Sequence, residues 1–275
     1  MLPPMPAKNS DWIVPDWPAP ARVHALCTTR AGGVSAAPWD SCNLGGHVGD
    51  DARAVQANRQ VLRQVLQRSG APARPVYLNQ VHGARAVALE PGSADGMAFD
   101  AAGTRAAGIA CTILVADCLP VLFTDRAGTR VAAAHAGWRG LAAGVLEQTL
   151  ECFWPPAQDG RAQAAPETEV MAWLGPCIGP QAFEVGAEVR LAFCTHDPDA
   201  ARCFAPGPAP GKYLADLAAL ARQRLARAGV AQVFGNDGSR PWCTVGNPSR
   251  FFSHRRDAVR LGGSGRMAAC VWLGA

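Results

Sequence analysis

Three apolar runs, residues 107–115, 119–124 and 130–135, follow one another with only Asp117-Cys118 and the turn Asp125-Arg126-Ala127-Gly128 to separate the later ones. Such runs lack the polar alternation of a strand with one wet face, so each reads as a strand buried on both sides. In series, with such short connections, they predict a buried β-meander. The rest of the chain must supply the layers that cover it.

Residues 22–30 predict a strand ended by Gly32-Gly33. Asp50 or Asp51 offers an N-cap for a helix through about Arg68, closed by Gly70, with Val55, Leu62, Val65 and Leu66 on its apolar face. Residues 75–78 and 84–89 predict strands on either side of the loop Asn79-Gln80-Val81-His82-Gly83. Residues 138–153 predict one helix, stopped by Trp154-Pro155-Pro156 and followed by a Pro-, Ala- and Gln-rich surface loop to residue 168. Further on, residues 183–193 and 213–228 predict helices, and 170–174, 230–234 and 267–273 predict strands. No repeat or long linker divides the chain, so residues 1–275 are expected to form one domain of mixed strands and helices, with 1–10 as a loosely ordered tail.

Composition narrows the function. Charged residues make up 17% of the chain and no segment reaches the 18 or so apolar residues of a membrane span, so no membrane partner is expected. The net charge of +4 is spread thinly, Arg222, Arg224 and Arg227 on one helix and the pair Arg255-Arg256 being its densest groupings, which argues against nucleic acid. The N-terminus carries no secretion signal, so the expected location is the cytoplasm and the ten scattered cysteines read as reduced thiols. Cys27 and Cys111 read as core residues, and Cys177 as a small residue in a tight loop. HExxH and the HxE with PCxxC pair are absent, and there is no Walker loop. Gly263 to Ala268 spells GxGxxA, but too few residues follow for the helix and strand a dinucleotide site needs.

What survives is His82, Cys118 and His135, each at the edge of an apolar strand in a loop rich in small residues. Two imidazoles and a thiolate suit zinc, and three ligands leave a fourth position open, as a catalytic site requires. Separations of 36 and 17 residues match no short metal motif, and on the residues alone hydrogen-bonded histidines and a core cysteine are the commoner reading.

Several segments occur together in a fixed order: Thr28-Thr29-Arg30-Ala31-Gly32-Gly33-Val34-Ser35, Asn43-Leu44-Gly45, Asn79-Gln80-Val81-His82-Gly83, Ala116-Asp117-Cys118-Leu119-Pro120 and His135-Ala136-Gly137-Trp138-Arg139-Gly140. Trp173-Leu174-Gly175-Pro176-Cys177-Ile178-Gly179-Pro180, Phe183-Glu184-Val185-Gly186 and Phe251-Phe252-Ser253-His254-Arg255-Arg256 follow. From about residue 10 to the end the chain resembles the YfiH family, also called the multicopper polyphenol oxidase or laccase-domain family. The resemblance implies a layered α+β fold with mixed sheets packed between helices, similar to the catalytic domain of cytotoxic necrotizing factors. It also implies a zinc-dependent purine nucleoside phosphorylase with adenosine deaminase activity, the metal held by His82, Cys118 and His135. Purine nucleosides and inorganic phosphate are then the partners, and the protein a monomer or homodimer. The sequence departs from the family pattern at His254, usually Tyr, and Ser264, usually Thr, and its stretch 236–249 is longer.

Deamination needs an acid or base near the leaving ammonia, for which Asp95 and Glu184 are the candidates beside cap or loop roles. Phosphorolysis needs phosphate held beside the anomeric carbon. Arg30, Arg139 and Arg255 are the candidate phosphate holders, Asn43 and Gln80 the candidate base or ribose partners, and Trp138 either stacks on a base or anchors the core. Strand alternation puts Asp117 on the face opposite Cys118, as a structural partner, while His47, in a glycine loop, can reach the site entrance. Three alternatives stand beside this reading: an amidase editing a muramyl nucleotide, a copper-dependent polyphenol oxidase, and a non-catalytic zinc-stabilised module. A multicopper cluster requires roughly ten imidazoles. The chain has six.

Overall fold

The computed structural model describes residues 11–153 and 169–275. The expected N-terminal tail and the Pro-rich loop, with its Trp154-Pro155-Pro156 stop, lie outside the described residues. Within them two β-sheets stack face to face, and helices cover both outer faces. The first sheet runs β1 (Val23–Cys27), β13 (Met267–Leu273), β5 (Ile109–Val115), β2 (Arg74–Tyr77). The second runs β12 (Gln232–Gly235), β8 (Val170–Leu174), β6 (Leu119–Asp125), β7 (Val131–Ala136), β4 (Ala101–Thr104), β3 (Ala86–Ala88). A small third sheet joins β10 (Phe204–Pro206), β11 (Lys212–Ala215) and β9 (Glu184–Gly186).

Side-chain alternation explains why the central strands read as unbroken apolar runs. On β5 and β13, Ala110, Leu114, Ala268, Cys270 and Trp272 face helix α1 (Ala52–Gln67), where they meet Leu62 and Leu66. Cys111, Ile113, Val115, Met267, Ala269 and Val271 face the second sheet and pack on Leu122, Val131, Ala133 and Trp173. The far side of the second sheet, including Val121, Phe123 and Leu174, is covered by α2 (Trp138–Ala142), α3 (Val145–Leu150) and α5 (Leu217–Arg227). Each large aliphatic side chain so buried contributes about 1.5–3 kcal/mol, and all three apolar layers depend on this two-sided burial.

The meander is corrected. β6 and β7 do pair as an antiparallel hairpin, but β5 lies in the first sheet between β13 and β2. The chain crosses from one sheet to the other through Ala116-Asp117-Cys118, with Asp117 at φ +87°, a left-handed conformation that breaks the strand. The helix expected over 138–153 is divided by Gly144 at φ +94° into α2 and α3. The expected helices at 183–193 and 213–228 begin instead as strands β9 and β11, and continue as α4 (Ala187–Cys194) and α5. Their first residues pair with each other across the small sheet, and that pairing overrides the helical spacing. Helix α6 (His254–Leu261) and strand β4 were not expected at all. The N-cap at Asp51, accepting from the Arg53 and Ala54 amides, is as expected.

Candidate metal and substrate site

Where the two sheets end, strand parity brings three chemistry-bearing residues together. His135 shares the parity of Val131 and Ala133, so its ring points into the layer between the sheets. Asp100, just before β4, shares the parity of Ala102 and sits beside His135, whose backbone N–H donates to the Asp100 carbonyl at 2.7 Å. Cys118 enters at the start of β6, one residue after the left-handed turn. His82 comes from the loop after β2 and is itself left-handed, at φ +59°.

Asp100 holds this arrangement. Its carboxylate is fully buried and accepts from the amides of Val81 (3.2 Å), His82 (2.9 Å) and Gly83 (2.7 Å), and it pairs with His135 Nδ1 at 2.9 Å. These donors meet the cost of burying a charge and clamp the loop in an otherwise unfavourable conformation. Burial raises the Asp100 pKa, but the His135 hydrogen bond and the Gly83 and His82 amides more than offset it, so the group stays below the usual carboxylate range. Because Nδ1 is taken by Asp100, Nε2 of His135 is left for a metal.

The available ligand atoms of His82, Cys118 and His135 all lie within 4.8 Å of one another. Cys118 Sγ stands 3.9 Å from His82 Nε2, and the two imidazoles meet edge to face with centroids 4.8 Å apart. Burial works against charge on both Cys118 and His135, but each favours the other's charged form: the thiol is drawn down to about 6, and the imidazole, also bonded to Asp100, is pushed up to about 9. A thiolate and two imidazoles at this spacing fit a metal of borderline softness. Glycine leaves them room, since a Cβ at Gly137 would crowd both ligands, at 3.0 Å from Cys118 Sγ and 3.1 Å from His82 Cδ2.

The three residues open onto a cavity of about 270 Å³. Leu114, Trp138, Ile178, Phe183 and Leu217 make its apolar walls, and His47, His254, Arg255 and Arg266 bring positive or protonatable groups. Asp117 also lines it. The expectation that Asp117 points to the opposite face is corrected: the left-handed turn interrupts the alternation. Its carboxylate accepts from Thr244 Oγ1 at 2.5 Å and from the Arg255 amide at 2.6 Å, tying the start of α6 to the sheet crossover, so its structural role stands.

Of the other expected site residues, Gln80 and Arg255 line the cavity. Gln80 pairs both ends of its amide with the Leu114 backbone, at 2.8 Å each, extending the edge of β5. Arg255 reaches the Glu184 carbonyl at 3.1 Å. The structure does not bring the rest into the cavity lining. Asp95 accepts from the Tyr77 amide at 3.0 Å and lies 3.8 Å from Arg74, as a loop acceptor. Glu184 lies in β9 and offers Arg255 only its backbone. Arg30 is engaged by the Asp40 carbonyl and side chain and by the Pro248 carbonyl. Arg139 is exposed and folds over the Trp138 ring at 4.4 Å. Asn43 is buried in backbone contacts to Gly45 and Arg266.

Sequence reasoning missed Asp100 and Arg266. Asp100 precedes a strand of small residues, Ala-Ala-Gly-Thr, that carries no strand signal of its own. Cys177 is buried, accepts from Asn236 at 3.3 Å and has its thiol pKa raised well above the ordinary value, chiefly by burial, so it is packing.

The family described as multi-copper polyphenol oxidoreductase laccase matches residues 24–274. A protein of Pseudomonas aeruginosa named a purine nucleoside phosphorylase is 50% identical over 95% of this chain and 98% of its own length. The purine nucleoside phosphorylase YfiH of Escherichia coli is 47% identical over 96% of this chain and 99% of its own. A crystal structure of a Neisseria meningitidis protein superposes with a TM-score of 0.84 at 46% identity, covering 96% of this chain and all of that one.

Proposed function

The chain belongs to the YfiH, or laccase-domain, family, and from that premise we propose that it is a zinc-dependent purine nucleoside phosphorylase that also deaminates adenosine. The observation that carries the reading is a donor group that, among the described residues, has three members and not four, lining a cavity with apolar walls and cationic side chains. It agrees with the activity named for the Pseudomonas and Escherichia relatives. In phosphorolysis a phosphate oxygen bonds to the anomeric carbon as the bond to the base nitrogen breaks, giving ribose 1-phosphate and the free base. Trp138 and Phe183 suit a planar base, and the cationic groups suit phosphate. The leaving base takes a proton at nitrogen, and His254, one of the two imidazoles that line the cavity outside the metal group, is assigned to supply it. Asp100 fixes the His135 tautomer and the His82 loop.

His82, Cys118 and His135 would hold the metal, which supplies Lewis-acid charge at its open position. Among all six histidines only His82 and His135 join the metal group; His24 stacks on Trp272, and His196 is exposed. That favours a mononuclear site over a copper cluster. No helix among the described residues is long and apolar enough to cross a membrane. The test is to incubate the purified protein with adenosine or inosine and phosphate, and to assay free base, ribose 1-phosphate and ammonia alongside metal analysis. Phosphate-dependent release of base is expected. Turnover of a seryl-muramyl nucleotide instead, or no change of activity on chelation, would overturn the reading.

A further inference from the structure

Two guanidiniums line the cavity; that of Arg255 reaches the Glu184 carbonyl, and that of Arg266 keeps donors to spare. Arg266 stands immediately before β13 and lines the cavity together with His47. Its Nη1 donates to the carbonyls of Ser264 at 2.9 Å and Gly265 at 3.1 Å; among the described residues its Nε and Nη2 have no protein acceptor, and no carboxylate forms an ion pair with it. The one carboxylate lining the cavity, Asp117, is engaged by Thr244 and the Arg255 amide.

The position of this guanidinium is built by the Asn43-Leu44-Gly45 segment. Asn43 Oδ1 accepts from the Arg266 amide at 2.8 Å and from the Gly45 amide at 2.9 Å, while the Leu44 amide donates to the Arg266 carbonyl at 3.0 Å. The Arg266 stem lies directly on Gly45, where a Cβ would stand 2.7 Å from Arg266 Cγ and 3.1 Å from its Cβ. Helix α1 holds the same segment through Arg59 Nε, 2.9 Å from the Leu44 carbonyl. Two residues after Gly45, the chain delivers His47 to the same cavity. Burial, and after it the positive charge of Arg266, Arg59, His135 and His82, lowers the His47 pKa, which favours the neutral imidazole with its N–H as a donor. A partly buried guanidinium with free N–H donors, surrounded by imidazoles, is chemically complementary to a small oxyanion.

We propose that Arg266 and His47 form an oxyanion subsite that takes inorganic phosphate beside the metal ligands, with Asn43 and Gly45 as positioning residues. As a step in turnover this rests on the phosphorylase reading; as a binding site it does not. The probe is inorganic phosphate alone, titrated into the purified protein of measured metal content and followed by calorimetry. Wild type is expected to bind it, and Arg266→Met to weaken binding by about tenfold or more at unchanged metal stoichiometry. His47→Gln and Gly45→Ala are expected to weaken it by smaller factors, the latter by moving the guanidinium. In steady state, the same variants should raise KM for phosphate while leaving KM for the nucleoside within about twofold.

Unchanged phosphate affinity in a folded Arg266→Met protein would overturn the subsite, as would equal losses for phosphate and nucleoside. Should Arg266→Met fail to fold, unchanged affinity in both His47→Gln and Gly45→Ala does the same. Phosphate binding lost in Arg266→Met, with no phosphate-dependent cleavage by wild type, would leave the subsite standing and remove the phosphorylase reading. Cleavage with a normal phosphate KM in that variant would do the reverse.

Discussion

Two groups of residues that line the cavity are built differently. On the metal side, His135 and Cys118 stand at the ends of paired strands, and a buried carboxylate clasps the His82 loop, so hydrogen bonds in sheet register set the positions. Arg266 and His47, the second group, are placed by a loop whose backbone is pinned by Asn43 and whose glycine admits the arginine stem. The first suits a ligand set whose geometry must not vary, and the second a cation that can adjust to an exchangeable ligand. Cys118→Ala breaks the first group most completely. It removes the thiolate but leaves the β6–β7 pairing intact, so the variant is expected to fold, lose its bound metal and fall to background turnover. Metal stoichiometry, a thermal melt and a base-release assay check this, and Arg266→Met should keep the metal that Cys118→Ala loses.

The next largest effect concerns two thiols. In metal-free protein the Cys118 thiol is drawn down to about 6 against the effect of burial, chiefly by His135 and then by His82, while His135 is pushed up to about 9 by Cys118 and Asp100. Between these values the pair stands as thiolate and imidazolium. Raising the pH through about 6 should therefore switch on alkylation of Cys118 by iodoacetamide, whereas an ordinary thiol reaches half-ionisation only near 8.5. Buried Cys177, raised far above the ordinary range, should stay unlabelled across the same pH series. His135→Gln should move the Cys118 midpoint upward, because it removes the principal positive partner. Peptide mapping of the labelled protein distinguishes the two thiols.

Asp100→Asn is a smaller perturbation of the same group. Each carboxylate oxygen serves two of the four contacts, Oδ1 those of the His82 amide and His135 Nδ1 and Oδ2 those of the Val81 and Gly83 amides, so an amide nitrogen at either position sets a donor against two donors. Loss of such an orienting partner is expected to lower metal affinity or activity by about 10–100-fold. Competition with a chelator measures the first and base release the second. Equal metal affinity in the variant would mean that the strand ends alone position the ligands.

The metal group was legible from small-residue loops at the ends of apolar runs, and those runs also announced the buried strands. Their assignment to two sheets was not legible, because it turns on the left-handed backbone of Asp117, which residue type does not encode. Residues 101–104 have few β-branched side chains, so β4 was missed and Asp100 with it. Arg266 followed a glycine-rich stretch that resembled only a chance dinucleotide motif, and its value comes from contacts with residues 43–45, more than 200 positions away. In the other direction, Arg30, expected at phosphate, holds the carbonyls of Asp40 and Pro248, and Asn43, expected at base or ribose, bonds instead to the amides of Gly45 and Arg266. A motif loop has to hold itself in place before it can hold a ligand.

The smallest effect is expected at Asp95, where, of the two roles the sequence offers, the structure shows the loop acceptor. An asparagine there retains a carbonyl oxygen for the Tyr77 amide and loses only the 3.8 Å approach to Arg74. Both side chains of that pair are substantially exposed, so the ion pair contributes about 0–1 kcal/mol. Asp95→Asn should therefore leave metal content unchanged, keep nucleoside turnover within about twofold and lower stability by less than about 1 kcal/mol in a urea titration. A specific loss of ammonia release from adenosine, with phosphorolysis intact, would restore Asp95 as the proton carrier in deamination and imply that its loop moves toward the cavity. Unchanged ratios of the two activities leave it as the acceptor that ends β2, and direct the search for that proton carrier to the groups that line the cavity, His254 first.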